Sequence, residues 1–176
     1  KWLRGPRGAG LTWLHPRRVE QLSPWPRASA PPSGVFERHE GPIAGWTGLG
    51  VALAHLDRRR PKQVHAEVSE RARLLRSTLA EVANWRCIDD PTTPSAIVSY
   101  APLGPIESHQ ANVSEARRAL ADVGIRVTEA HAHHAPGAFA ALGVDVALRC
   151  GPHAEEPLDR LEAAAGVIAE VMAAPD

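Results

Sequence analysis

The stretch VDVALRC, residues 144–150, alternates strictly. Val146, Leu148 and Cys150 fall on one side of an extended chain, and Asp145, Ala147 and Arg149 fall on the other. A period of two predicts a strand with one face in a core and an arginine carried on the opposite face. The sequence after it has another period. Over 155–173, Leu158, Leu161, Ala165, Ile168 and Met172 recur at helical spacing, and Glu155 and Glu156 sit where a first turn favours acid. Before it, 113–123 predicts a helix on Val113, Ala116, Leu120 and Val123, with Asn112 as N-cap, Glu115 completing a capping box, and Gly124 as the stop. IRVT (125–128) predicts a strand, and 130–143 a loop or broken helix.

Further upstream, 62–83 predicts the clearest helix, with Val64, Val68, Ala72, Leu75, Leu79 and Val82 as its stripe and Glu67 and Arg71 as an i,i+4 pair. WRCI (85–88) and SAIVSY (95–100) predict strands around a Pro/Thr/Asp turn. From residue 61 to 176 the order helix, strand, strand, helix, strand, strand, helix describes a small α+β domain, its mostly antiparallel sheet covered by helices.

Residues 1–60 read differently. AGLTWL (9–14) predicts a short buried strand, 16–22 a helix opened by Pro16, and 23–34 a proline-rich loop. PIAGWTGLGVALAHLDR (42–58) predicts a helix with Ile43, Ala44, Gly45, Gly48, Ala52 and Leu56 on its packed side. Gly45, Gly48 and Gly50 each weaken it by roughly 1 kcal/mol relative to Ala, and close packing of another element is the expected compensation. Arg58, Arg59 and Arg60 suit its end, and Pro61 marks a break. One strand and one glycine-rich helix need a further sheet to bury their apolar faces.

Bulk properties narrow the function. Twenty basic and twenty acidic residues cancel, which argues against a dedicated nucleic-acid binder. Residues 1–27 are locally basic, with Lys1, Arg4, Arg7, Arg17, Arg18 and Arg27 against Glu20, a surface able to meet a phosphate but equally an ordinary solvated one. No apolar run approaches bilayer length. Cys87 and Cys150, the two cysteines, lie in apolar stretches and read as buried free thiols, as expected of a cytoplasmic protein. His131, His133 and His134 lie in a Pro/Gly-containing segment without the spacing of a zinc site, and no metal is expected there. Lys1 stands before the turn Gly5-Pro6-Arg7-Gly8, where a lysine held and partly desolvated becomes a neutral amine able to attack a carbonyl.

KWLRGPRGAGLTWL (1–14) resembles the lysine segment of the class V aminotransferase-type, pyridoxal-phosphate-dependent enzymes. FERHEGPIAGWTGLGVAL (36–53) is similar to that family's acidic-glycine segment, and ALRCGPH (147–153) to its Arg-x-Ser-Pro-His strand end, with Cys150-Gly151 departing from the serine common there. Within the family the likeness is greatest to C–S lyases of ergothioneine synthesis, through KWLRGPRG, Glu40, VHAEVSERARLLRSTLAEVANWR and PSAIVSYAP. The resemblance implies a fold-type-I enzyme, α/β and α+β, represented by its C-terminal part. Residues 1–60 would be the tail of the large cofactor-binding domain with a connecting helix, and 61–176 the small domain.

It also implies pyridoxal 5'-phosphate as cofactor with Lys1 as its Schiff-base residue, a small amino acid substrate held by Arg149 through its α-carboxylate, and a homodimer. Glu40 falls where the family often has a phosphate-facing threonine. A carboxylate would repel phosphate, so Glu40 reads either as a contact for a cationic substrate, with Trp46 as an aromatic alternative, or equally as an acid at the helix start near Pro42. The chain is expected to lack the N-terminal half of its own enzyme and to be inactive alone. Desulfurases of this fold need a mobile cysteine upstream of the carboxylate arginine, and none occurs between Gly124 and Arg149. An epimerase, an aminotransferase, a desulfurase-like relative and a non-catalytic interaction domain are the alternatives.

Overall fold

A computed structural model describes residues 4–19, 41–90, 92 and 95–174. It divides into two compact units, Lys1–Pro61 and Lys62–Asp176.

In the first unit, α1 (Pro16–Val19) and α2 (Ile43–Arg58) are the regular elements among the described residues. The turn at Arg7-Gly8 forms, with Gly8 at φ 85°. The packed face of α2 meets that turn. A Cβ on Gly48 would lie 2.5 Å from Pro6 Cγ, so the bare glycine lets the proline ring seat on the helix. Gly50 has open space instead, so close packing does not explain it. Gly45 and Leu49 are the buried residues of α2, whereas Ile43, placed inward by spacing alone, is exposed. Residues 9–14 form no strand, and Leu11 and Trp13 are 70% and 77% exposed. A strand's main chain must be paired, and among the described residues of this unit nothing pairs with it. The segments expected at 20–22 and 23–34 lie outside the described residues.

The second unit is built on a four-stranded, wholly antiparallel sheet in the order β1-β2-β4-β3. Its strands are β1 (Trp85–Cys87), β2 (Val98–Pro102), β3 (Thr128–His131) and β4 (Val146–Cys150). Val98 and Tyr100 of β2, with Val146, Leu148 and Cys150 of β4, meet apolar residues of α3 (Pro61–Thr78), α4 (Ile106–Asp122) and α6 (Leu158–Ala173) in the main core. The indole N–H of Trp85 donates to the Met172 carbonyl at 2.8 Å and ties β1 to the end of α6. On the opposite face Ala101 and Ala147 pack with Val144 and with Phe139 of the short α5 (Pro136–Leu142). The alternation in β4 thus divides as its sequence predicts, and the α+β architecture stands.

Element ends differ from expectation for local reasons. Pro61 opens α3 rather than only ending what precedes it. That helix stops at Thr78, short of 83, although Leu79 stays buried and Val82 packs on the core through the following turns. Arg71 reaches main-chain oxygens, donating to Glu67 at 2.9 Å and to Glu156 at 2.8 Å. The largest difference is α4, which begins seven residues before 113, at Ile106, with Pro105 as N-cap; Asn112 lies inside it and is no cap. Buried His109 interrupts the apolar stripe there, but its ring nitrogens meet Asp145 Oδ1 at 3.2 Å and the Gly104 carbonyl at 3.3 Å. Ile125 N–H donates back to Leu120, so the chain spends 124–127 leaving α4 and β3 starts three residues later than 125. Glu155 and Glu156 precede α6, Asp159 is its first-turn acid, and Leu158 is exposed. Cys87 is exposed, contrary to the expected burial, because β1 lies at the sheet edge; Cys150 is buried, and both thiols are free.

Candidate active site

Arg149 is the sequence-derived site residue that the described structure contains. It lies near the end of β4, half-buried, on the face opposite the main core. Its cross-strand partners are Ser99 on β2 and Thr128 on β3. Directly opposed residues share a face, roughly 5 Å apart at Cβ, so Arg149 rises between a buried serine and an exposed threonine. The Thr128 hydroxyl donates to the Arg149 carbonyl at 3.4 Å. Among the described residues the guanidinium has neither a hydrogen-bond partner nor an ion pair. A free planar fork beside a sheet suits a carboxylate, which accepts two parallel N–H bonds.

Asp89 and Ser99, absent from the sequence-derived site, also lie beside Arg149: Ser99 as its cross-strand partner and Asp89 within reach of its charge. The Asp89 carboxylate accepts from the Ser99 main-chain N–H, while Ile88 N–H donates to Ser99 O at 3.0 Å. Burial pushes the Asp89 carboxyl above its ordinary value, against the lowering effect of hydrogen bonds from Ser99 N–H and hydroxyl and the positive charges of Arg76 and Arg149. Arg76 fixes the approach to β2, donating to Ile97 O at 3.2 Å and Ser95 O at 3.5 Å. The Asp89-Asp90-Pro91 run reads locally as a turn, and only the β1–β2 register brings Asp89 to Ser99.

Cys150 points the other way, into the main core. Burial, aided by the Asp89 charge, pushes its thiol up to about 12. A thiol that stays protonated is a poor nucleophile, so the cysteine beside Arg149 is structural.

Lys1 and Glu40 lie outside the described residues. Trp46 of α2 is half-exposed. His131 ends β3, and His133 and His134 follow in a 3₁₀ turn (Ala132–His134), the last two rings 4.1 Å apart between centroids. His131 Nε2 lies 3.2 Å from Glu129 Oε2, and Glu129 also accepts from Arg117, Gln110 and Ser114 of α4. This cluster fastens the β3 edge to α4. Among the described residues no group of three or more His, Cys, Asp or Glu is arranged to hold a metal ion, and no helix is long and apolar enough to cross a membrane.

The chain is similar in sequence to a curated lyase, and in fold to solved cysteine desulfurases, over only part of the length of each. A curated relative is a probable hercynylcysteine sulfoxide lyase of Mycobacterium tuberculosis (strain CDC 1551 / Oshkosh), 30% identical over 181 residues. The match takes in 99% of this chain and 43% of the relative, so the chain spans less than half of that protein. Among solved structures, the cysteine desulfurase CsdA of Escherichia coli has TM-score 0.65 and 23% identity, over 77% of this chain and 32% of its own. The apo cysteine desulfurase of Thermococcus onnurineus NA1 has TM-score 0.65 and 20% identity, over 81% and 34%. At such identities the two structures speak for the fold alone. No family model matches the chain.

Proposed function

We propose that the chain is part of a pyridoxal-phosphate-dependent C–S lyase that cleaves a cysteine-sulfoxide conjugate, as in ergothioneine biosynthesis, with Arg149 binding the substrate's α-carboxylate. The observation that carries this is the unpartnered, half-buried guanidinium on β4, in a chain 30% identical to a probable hercynylcysteine sulfoxide lyase. In this reading residues 1–60 belong to the large domain and its connecting helix, and 61–176 are the small domain. The protein works in the cytoplasm as a homodimer.

The cofactor, when bound, supplies the electron sink for the carbanion formed at Cα. Lys1 is the residue that would hold it and then move the Cα proton. That role rests on the likeness of KWLRGPRG, supported by the seating of Pro6 against Gly48, which fixes the turn that follows the lysine. Arg149 orients the substrate by its carboxylate, limiting rotation about Cα. Glu40 contributes a negative charge for the substrate's trimethylammonium group, with Trp46 as an aromatic surface for the same cation. The missing cysteine between Gly124 and Arg149, with the raised thiol of Cys150, favours a lyase over a desulfurase.

The test uses protein expressed from the complete reading frame, supplied with pyridoxal phosphate and hercynylcysteine sulfoxide. Pyruvate and a sulfur species are the expected products, and borohydride is expected to fix the cofactor on Lys1. Arg149→Gln is expected to raise KM about 100-fold, the scale of losing a charge-assisted carboxylate contact. Racemised or transaminated amino acid without pyruvate would identify a sister enzyme. Absence of both cofactor binding and turnover would leave the interaction-domain reading.

A further inference from the structure

At the open end of β2 and β4, three charges alternate in sign: Arg76 from α3, Asp89 after β1, and Arg149 on β4. The middle one is fixed. Ser99 donates its main-chain N–H to Asp89 and also its hydroxyl, and its own backbone is set by the β2–β4 register opposite Arg149. Arg76 clamps the segment entering β2 through the carbonyls of Ser95 and Ile97. A carboxylate so tied does not swing onto Arg149, and no ion pair closes between the two among the described residues. The guanidinium is left open with a negative charge as its lateral neighbour. An incoming carboxylate on Arg149 must then sit near a like charge, which costs free energy in proportion to 1/(εr).

We propose that Asp89 sets how tightly Arg149 holds a carboxylate: its fixed negative charge weakens the site while Ser99 keeps it from blocking the guanidinium. This deepens the proposed function and rests on its assignment of Arg149. The device suits a site that must release its ligand each turnover, because binding the ground state too tightly gains nothing in rate. The groups facing Asp89 are Arg76 from α3, Arg149 from β4 and Ser99 from β2.

The experiment titrates acetate into the 176-residue chain at pH 7 and follows the ¹⁵Nε–H signal of Arg149, assigned by its loss in Arg149→Lys. Asp89→Asn keeps an oxygen for the Ser99 N–H and removes the charge. It is expected to tighten acetate roughly fivefold, a like-charge effect discounted for partial exposure. Ser99→Ala keeps the carboxylate but drops one tether. It is expected to weaken acetate, because a loosened Asp89 reaches the guanidinium. The ¹⁵N spectrum of each variant reports folding, and either variant alone decides the sign. Unchanged affinity in both, or weaker binding in Asp89→Asn, overturns the proposal while leaving Arg149 as the carboxylate site. An Arg149 signal indifferent to acetate in the parent chain and in Asp89→Asn overturns the assignment of Arg149 and the proposal with it.

Discussion

The two units bury their residues to very different degrees. Residues 62–174 enclose Leu75, Leu79, Tyr100, Val113, Leu120, Val146 and Leu148 almost completely, on helices and a sheet that cover one another. Among the described residues of 4–61, only Gly45 and Leu49 of α2 are buried, and Leu11, Trp13, Ile43, Trp46 and Val51 are exposed. Both segments are apolar enough in sequence to build a core. The difference is that the second supplies a closed set of elements: four strands, each paired, and helices on the sheet. The described residues of the first supply one long helix and a run with strand character, with no strand among them to pair with it.

This contrast can be broken by experiment. Leu148→Ala removes a fully buried side chain from the main core and is expected to cost about 2–5 kcal/mol in urea unfolding of the second unit. Leu49→Ala, in the sparsely buried unit, is expected to lower amide protection along α2 in hydrogen exchange. A loss well under about 2 kcal/mol for Leu148→Ala would show that the main core does not carry the stability of its unit.

His109→Leu comes next. It strips Asp145 and the Gly104 carbonyl of a partner and is expected to cost about 1–3 kcal/mol, measured in the same urea transition. A neutral outcome would mean that α4 is held by its apolar stripe alone.

The glycines of α2 offer a smaller, signed comparison. Gly48→Ala is expected to displace the Pro6 turn and lower amide protection across α2 in hydrogen exchange. Gly50→Ala, with open space around it, is expected to raise protection by up to about 1 kcal/mol. The same sign for both would refute the seating of Pro6 on the helix.

The smallest expected effect is a pH dependence. Burial pushes the Glu129 carboxyl up, but hydrogen bonds from Arg117, Gln110 and Ser114 outweigh it, and the net value lies below the ordinary 4.5. The folded state therefore binds this proton less readily than the unfolded chain. The stability it contributes is present above the ordinary value and lost as pH falls through the lower, folded one. Asp89 has the opposite sign: raised from 3.8, its contribution is fullest below that value and is lost as pH rises through its folded value. Glu129→Gln is expected to flatten the acid side of a stability–pH curve, and Asp89→Asn to flatten the decline above it. An unchanged acid limb in Glu129→Gln would show that the edge cluster carries no linkage.

Much of this was legible in the chain itself. The period of two in 144–150 fixed which residues of β4 enter the core and put Arg149 on the other face, because side-chain direction in a strand follows from backbone geometry alone. The period of 3.6 placed α3 and α6 and most of their buried residues, since an amphipathic stripe is a local property. The likeness of KWLRGPRG and ALRCGPH to the class V enzymes carries the family reading that underlies the proposed function. Tertiary structure decided the rest. Asn112 and Glu115 read as a helix start, but α4 runs back to Ile106, where buried His109 finds Asp145 and the Gly104 carbonyl for its nitrogens. AGLTWL carries strand-forming residues, but a strand exists only where another main chain accepts its hydrogen bonds. Asp89 acquires meaning only from the register that sets Ser99 beside it and Arg149 across from Ser99. Periodicity is written residue by residue, whereas partnership between distant residues is a property of the folded chain.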